Sequence, residues 1–318
     1  MDWLSHLLDM MPVTGRLEIR CLYGAPWRVV YDDSPAGEVP YHVVLAGSAI
    51  VEDPKGGPPQ RLEAGDMVLL LSGGEHVLHD GSGAPPAQVR TRENQNLVIS
   101  ENREAGTRLD MLCGRFVLSR PHERLMRAYL PPRLVVRASG RDEPARHPET
   151  AGQLAGLVAL MRSESTADSL GGRAMLNALS VALFALAIRL AGASGDAPMG
   201  LLALAGHPRL APALSAMFLE PARPWTLPDL ARLCNMSRAT MARHCQEQLG
   251  RSASDLLTDI RMTLAAGELR KPGLSTEMVA EGVGYQSVAA FKRAFKQRMG
   301  MTPADWRREA RQTAPDYH

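Results

Sequence analysis

The sequence predicts an α+β multidomain protein: an N-terminal β-barrel, two helices after it, and a C-terminal all-α domain with two helix-turn-helix units. Three observations predict this. Between about Arg16 and Phe116, short runs rich in Val, Leu and aromatic residues alternate with Gly/Pro turns. From about residue 149 the apolar period changes to 3.6. Beyond residue 200 one pattern of helix, turn and helix occurs twice.

The runs RLEIRCLY, WRVVY, YHVVLAG, SAIVED, DMVLLL and HVLHD read as strands, bounded by GAP, SPAG, PKGGPP, SGG and GSGAPP. Many short strands with such turns form a sandwich or a barrel. After Pro131 and Pro132, Leu154, Leu157, Val158 and Met161 share one helical face, and Leu176, Leu179, Leu183, Leu186 and Leu190 share the next. The second stripe is longer than one intradomain contact needs, which points to dimerisation through the segment from about 149 to 191. AGASGDAPMG (191 to 200) has the composition of a flexible joint. Domains are therefore expected at 1–200 and 201–318.

Composition narrows the class. The chain has 318 residues, 45% hydrophobic and 22% charged, and its longest apolar stretch, Leu176 to Leu190, falls short of the ~18 to 20 residues a spanning helix needs. MDWLSHLLDMM lacks the basic start of a secretory signal, and Cys21, Cys113, Cys234 and Cys245 show no CxxC spacing. These features point to a reduced, cytoplasmic protein with no membrane partner. Residues 221 to 318 hold 15 Lys and Arg against 10 Asp and Glu. That third is +5 in a chain of net +2, the asymmetry of a nucleic-acid-binding domain joined to a near-neutral one.

The repeat carries the chemistry. Aligning TLPDLARLCNMSRATMARHCQEQLGRSASDLL with STEMVAEGVGYQSVAAFKRAFKQRMGMTPADWR pairs Ala231 with Ala280 and Met236 with Tyr285, then Met241 with Phe291, Arg243 with Arg293 and Gly250 with Gly300. Each unit, about 227–250 and 276–300, has a short helix, a turn, a Ser that can cap (Ser237, Ser287) and a longer helix ending at Gly. In the first long helix Met241, Cys245 and Leu249 face inward, leaving Arg238, Ala239, Ala242 and Arg243 outside. In the second Phe291, Phe295 and Met299 face inward, leaving Val288, Ala289, Lys292, Arg293 and Lys296. Such faces suit the major groove of double-stranded DNA: arginines fork onto guanine, small apolar residues meet thymine methyls, and Arg238, Lys296 and the backbone N–H groups at Ser237 and Ser287 take phosphates. Between the units SASDLLTDIRMTLAAGELR reads as one amphipathic helix with Leu256, Ile260, Leu264 and Leu269 inward. A rod of roughly 15 to 18 residues, about 22 to 27 Å long, holds two reading helices one DNA turn apart.

The region from about Pro208 to Arg311 resembles the AraC/XylS transcription regulators, above all in VAEGVGYQSVAAFKRAFKQRMGMTPADWR. Cys245 stands where the family usually has Phe, and Ser252-Ala253 replaces the Thr-Pro kept as Thr302-Pro303. The first unit is therefore expected to pack more loosely. The resemblance implies base contacts at Ala239, Ala242 and Arg243, and at Val288, Ala289, Lys292 and Arg293. It also implies promoter DNA and RNA polymerase as partners and a homodimer.

Upstream, LEAGDMVLLLSGGEHVLHD resembles the second cupin motif, with Gly65, Asp66, Gly73 and His76 in place and Leu71 where Pro is usual. YHVVLAGSAIVED resembles the strand pair that carries the first. The combination is similar to AraC-type regulators with a cupin-like sensor, the reactive-chlorine-response type among them. Metal-dependent cupins use HxH, a Glu and a distant His; here His42 and His76 remain, Val44 replaces the second His, and the Glu is missing. No metal or other cofactor is expected. His42, His76, Cys21 and Cys113 form a candidate sensor site for a small-molecule or oxidant effector, with His79 a further histidine able to converge there. Arg20 beside Cys21 and Arg115 near Cys113 are placed to lower a thiol's pKa. The competing class is a cupin-type metal-dependent enzyme with a helical appendage, which the missing donors disfavour.

Overall fold

A computed structural model describes residues 2–137, 148–193 and 199–312. The chain forms two compact units, one of Val13–Arg120 with Leu130–Pro198, the other of Met1–Pro12, Pro121–Tyr129 and Met199–His318. Two short segments thus pack with the C-terminal unit rather than with the N-terminal domain where the sequence places them. They are helix α1 (Trp3–Met10) and helix α2 (Arg120–Tyr129). Both bury apolar side chains there, α1 through Leu4 and Leu7 and α2 through Leu125, Met126 and Tyr129. Part of the expected joint, residues 194 to 198, lies outside the described residues.

The sheet-rich unit contains β1 (Thr14–Gly24), β2 (Arg28–Tyr31), β3 (Glu38–Ala46), β4 (Ser48–Glu52), β5 (Gln60–Glu63), β6 (Met67–Leu69), β7 (His76–His79), β8 (Arg90–Glu93), β9 (Val98–Glu101), β10 (Arg108–Val117) and β11 (Leu134–Val136). They form one seven-stranded sheet, ordered β11-β6-β3-β10-β1-β9-β8, and one four-stranded sheet, β2-β7-β4-β5. The expected barrel is a cupin-like sandwich whose sheets do not close. Its core holds Tyr23, Trp27, Val44, Val51, Leu62, Val68, Leu78 and Met111, with Cys21 and Cys113 among them.

Helices α3 (Pro148–Thr166) and α4 (Gly172–Ala193) follow. The leucine stripe expected on α4 is divided: Leu176 and Leu183 are buried, whereas Leu179, Leu186 and Leu190 are half-exposed. Ser180, Phe184, Ala187, Ile188 and Ala191 share the buried face. The reason is steric, because α4 crosses β1 so closely that a Cβ on Gly15 would lie 2.5 Å from that of Ser180. Ser180 Oγ is 2.8 Å from Tyr41 Oη, and Asn177 Oδ1 accepts from the Leu17 N–H at 3.3 Å. By length and composition Gly172–Gly192 is apolar enough to cross a membrane; here it is the helix that covers β1.

The helical unit continues with α5 (Leu201–Gly206), α6 (Ala211–Leu219), α7 (Leu227–Leu233), α8 (Arg238–Leu249), α9 (Ala253–Glu268), α10 (Thr276–Gly282), α11 (Val288–Met299) and α12 (Pro303–Gln312). The starts are encoded locally: Thr226 with Asp229 and Ser252 with Asp255 form capping boxes, and Ser237, Ser275 and Ser287 each accept a first-turn N–H. Helices α8 and α11 both stop at a left-handed glycine, Gly250 and Gly300. Helix α9 departs from the expected one-faced rod. Leu256, Ile260 and Leu269 are buried as expected, but so are Leu257, Met262, Ala265 and Ala266, while Leu264 is only partly so. Elements pack on it from several sides, α1, α6, α10 and α11 among them.

Candidate DNA interface and sensor site

The two turns that precede α8 and α11 match in backbone conformation. Asn235 in the first and Gly284 in the second, 49 positions apart, both have positive φ, 50° and 84°. Behind α11 the core is aromatic: Phe291 and Phe295 are fully buried, Tyr285 meets Phe291 edge-on at 5.7 Å, and Trp306 meets Phe295 at 6.0 Å. The Trp306 indole N–H donates to the Ala266 carbonyl at 2.9 Å. Behind α8 the inward residues are smaller, yet Met241, Cys245 and Leu249 are all buried. The looser packing expected there is offset by α5 and α6, which pack on α8 and α7 and bury Leu201, Leu202, Leu204 and Leu214. Met236 is only half-buried.

These cores leave one face of each helix free. Ser237, Arg238, Ala239, Ala242 and Arg243 are exposed on the first; Ser287, Ala289, Lys292, Arg293 and Lys296 are exposed on the second, and Val288 is half-exposed. Gln246 and Gln297, which the sequence reading passed over, are also exposed one turn on; the same helical spacing would have found them. Arg243 Nε lies 3.8 Å from Glu247, while Arg293 has no ion pair among the described residues. Helix α9, 16 residues long, spans about 24 Å between the units.

In the other unit, strand register brings the four sensor candidates together. Cys113 sits opposite His42 across β10 and β3. Cys21 is its diagonal neighbour on β1, with the two sulfurs 3.8 Å apart. His76, from the four-stranded sheet, puts its Nε2 2.8 Å from His42 Nε2. Tyr31 joins both pairs. Its ring stacks on His76 at 4.7 Å and tilts against His42 at 4.8 Å, and its hydroxyl donates to Cys113 Sγ at 3.7 Å. The sequence reading missed Tyr31, because only the pairing of β2 with β7, Tyr31 opposite His76, reveals it.

The histidine tautomers follow from their partners. His76 Nδ1 is 3.1 Å from the Gly74 carbonyl, an acceptor only, so Nδ1 carries hydrogen and Nε2 is a lone pair. His42 Nε2–H therefore donates to it, which leaves the buried His42 Nδ1 without a partner. Burial holds His42 well below the usual histidine range, reinforced by His76, and burial also lowers His76. Both are neutral. The arrangement does not fit the cupin metal: the two ring nitrogens are turned to each other, and the fully buried Val44 occupies the place of the missing His.

Two expectations about charge are corrected. Arg20 leaves the thiols and pairs with Asp110 at 2.7 Å, inside the protein, where it also donates to Ser165. Arg115 is held between Glu18 and Glu38. Neither supports a thiolate. Burial pushes the Cys113 thiol well up, whereas the hydrogen bond from Cys113 draws Cys21 down. His79 does not converge with the others; three positions after His76 it lies across the strand, 3.2 Å from Glu52. A cavity of about 230 Å³, lined by Glu18, Tyr31, Asp33, His42, Cys113 and Arg115 among others, opens onto the site.

Comparison with known proteins agrees with both halves. Residues 2–191 match a cupin family model and residues 230–309 a helix-turn-helix domain model. The chain is 27% identical to the RCS-specific HTH-type transcriptional activator RclR of Escherichia coli, over 99% of this chain and all of the relative. It is 30% identical to the HTH-type transcriptional regulator MtrA of Neisseria gonorrhoeae, over 98% of this chain and all of that one. Among solved structures, the C-terminal domain of AraT from Geobacillus stearothermophilus is 32% identical, covering 35% of this chain and 92% of that one, with a TM-score of 0.33. The chain belongs to the AraC family of DNA-binding transcription regulators, in the group that carries a cupin domain ahead of the helix-turn-helix domain.

Proposed function

We propose that this regulator binds double-stranded promoter DNA with α8 and α11 in successive major grooves and works with RNA polymerase as a cytoplasmic homodimer. Its signal enters where His42, His76, Cys21 and Cys113 gather on Tyr31. Bases are met by Ala239, Ala242, Arg243, Val288, Ala289, Lys292 and Arg293, and phosphates by Ser237, Arg238, Ser287 and Lys296. The free faces of α8 and α11, basic or small along their length, support that assignment. The apolar strip that α4 leaves exposed, Met175, Leu179, Ala182 and Leu186, with Leu160 of α3, supports a second copy as partner. Val44 and the missing Glu support a regulator over an enzyme, since Lewis-acid chemistry lacks its donors.

One observation carries the sensing mechanism: Cys21 and Cys113 hold their sulfurs 3.8 Å apart, and Cys113 lines the cavity. A two-electron oxidant that enters there joins them. With hypochlorous acid, one thiol gives a sulfenyl chloride and water; the second sulfur then displaces chloride, releasing a proton and forming the disulfide. The sulfurs must close to ~2.05 Å, which strains β10 against β1, its hydrogen-bonded neighbour. Full-length protein treated with one equivalent of hypochlorite should yield a 21–113 linked peptide and an altered DNA affinity, and Cys113→Ser should abolish both. If the oxidised chain has no such link and binds DNA as before, the redox reading is wrong; a small organic effector in the cavity would then be sought by thermal shift.

A further inference from the structure

The second reading helix is clamped to α9 by a charged residue of its own, which the first lacks. Arg298, near the end of α11, donates to Asp255 Oδ1 at 2.6 Å and lies 3.3 Å from Asp259, both on α9. The position equivalent to Arg298 in the first unit, 50 residues earlier, is the neutral Gln248. Asp259 is buried in the middle of α9, and a third element holds it. The Tyr129 hydroxyl, at the last residue of α2, donates to Asp259 Oδ2 at 2.6 Å. Tyr129 is itself buried, and the Arg251 guanidinium lies 5.6 Å from its ring centre and 3.8 Å from Asp259. A carboxylate in such a place needs all its donors, because a buried charge short of partners is costly.

Helix α2 is also the direct continuation of β10. Only Leu118 and Ser119 separate Val117, the last residue of the strand that carries Cys113, from Arg120. We infer that Tyr129 is a positioning residue for the second reading helix, and that α2 is the link by which displacement of β10 reaches α11 through Asp259 and Arg298. The inference rests on α11 being a reading helix. Arg293 and Arg298 share that helix five residues apart, so a tilt set at Asp259 moves the base-facing arginine directly. The first unit reaches Asp259 only through Arg251, one residue past the cap of α8, at 3.8 Å against the 3.3 Å of Arg298, and with no partner for it on Asp255. The signal should therefore be felt mainly in the half of the DNA site that α11 meets.

The experiment uses the full-length protein and a duplex selected by it from a random-sequence library. Tyr129→Phe keeps the ring and removes the one hydroxyl, and should weaken binding about tenfold, the effect of one charge-assisted hydrogen bond. The loss of footprint should be greater in the half that Arg293→Ala also affects. By reciprocity DNA binding must act back on α2, so bound duplex should slow amide exchange in residues 121 to 129 of the wild type, and not of Arg298→Gln. The Arg298 variant tests the clamp from its other side should Tyr129→Phe fail to fold. Equal loss in both halves, or α2 exchange indifferent to DNA, overturns the link. If Arg293→Ala leaves the footprint unchanged, the assignment of α11 has failed instead, and the inference falls with it.

Discussion

Replacing Arg243 or Arg293 with alanine tests how the two units divide the reading of DNA. Both side chains stand at the same step of their helices, yet their surroundings differ. Arg243 must release Glu247, 3.8 Å away with both side chains more than half exposed; such a surface pair is worth ~0 to 1 kcal/mol. Arg293 is free of any ion pair among the described residues and gives up nothing. A bidentate arginine–guanine contact discriminates by ~1 to 3 kcal/mol, or about 5- to 150-fold. Arg293→Ala is therefore expected in the upper part of that range and Arg243→Ala in the lower. Each should relax base preference in a different half of the site. Footprints, with anisotropy titrations at one fixed salt concentration, decide it, since affinity falls steeply with salt. Protection lost evenly across the site would make both arginines phosphate clamps. A silent Arg243→Ala would reduce the first unit to a scaffold.

Three further outcomes are expected. Gly284→Ala should destabilise the helical unit more than Gly300→Ala: both glycines have left-handed φ, costing ~1 to 2 kcal/mol with a Cβ, but only at Gly284 would that Cβ meet a backbone oxygen, Ala222 O at 2.2 Å. Chemical denaturation of the two variants reads the difference, and equal midpoints would refute it. His122 on α2 is held near a pKa of about 4, first by burial and then by Arg270. Native His122 thus refuses a proton that the unfolded chain accepts near 6.5, and stability should fall by up to ~1.4 kcal/mol per pH unit as pH drops through that window. His122→Gln should flatten the slope, and an unchanged pH profile would show that His122 contributes nothing to it. Ala182→Arg, on the exposed face of α4, should leave the fold intact and convert a dimer to a monomer in sedimentation; a dimer that persists would place the interface elsewhere.

The helical third was the more legible part of the sequence, because its signals are local. A serine before each reading helix and a glycine after it mark the ends within a few residues of chain. Short polar elements gave no such signal. β8, Arg90–Glu93, is exposed along its whole length and sits at a sheet edge, so it shows no alternation. Helices α1 and α2 are short and belong to a unit remote from them in sequence. Charge pairing was equally hidden: proximity in sequence put Arg20 beside Cys21, but successive residues of a strand face opposite ways, and the partner of Arg20, Asp110, lies 90 residues on. The candidate sensor site needed three registers at once, β3 with β10, β10 with β1 and β2 with β7. Residue types named its members; only pairing put Tyr31 among them.

The α4 stripe shows why an apolar pattern can identify a helix and still misplace its faces. A helix that crosses a sheet closely must present a small residue at the crossing, and Ser180 serves there, with Gly15 as its counterpart on β1. The bulky leucines are then rotated toward the edge of the contact, where Leu179, Leu186 and Leu190 are half-exposed. One helix therefore meets two demands. Its small face allows close approach to the strand that carries Cys21, and its leucine face is left for another surface. A dimer formed on that face would be one helix thickness from β1, and β1 and β10 are the strands that a Cys21–Cys113 bond would strain against each other. The geometry that hid the true buried face of α4 from the sequence thus puts the surface proposed for self-association and the cysteine pair proposed for oxidation on opposite sides of a single helix–strand contact.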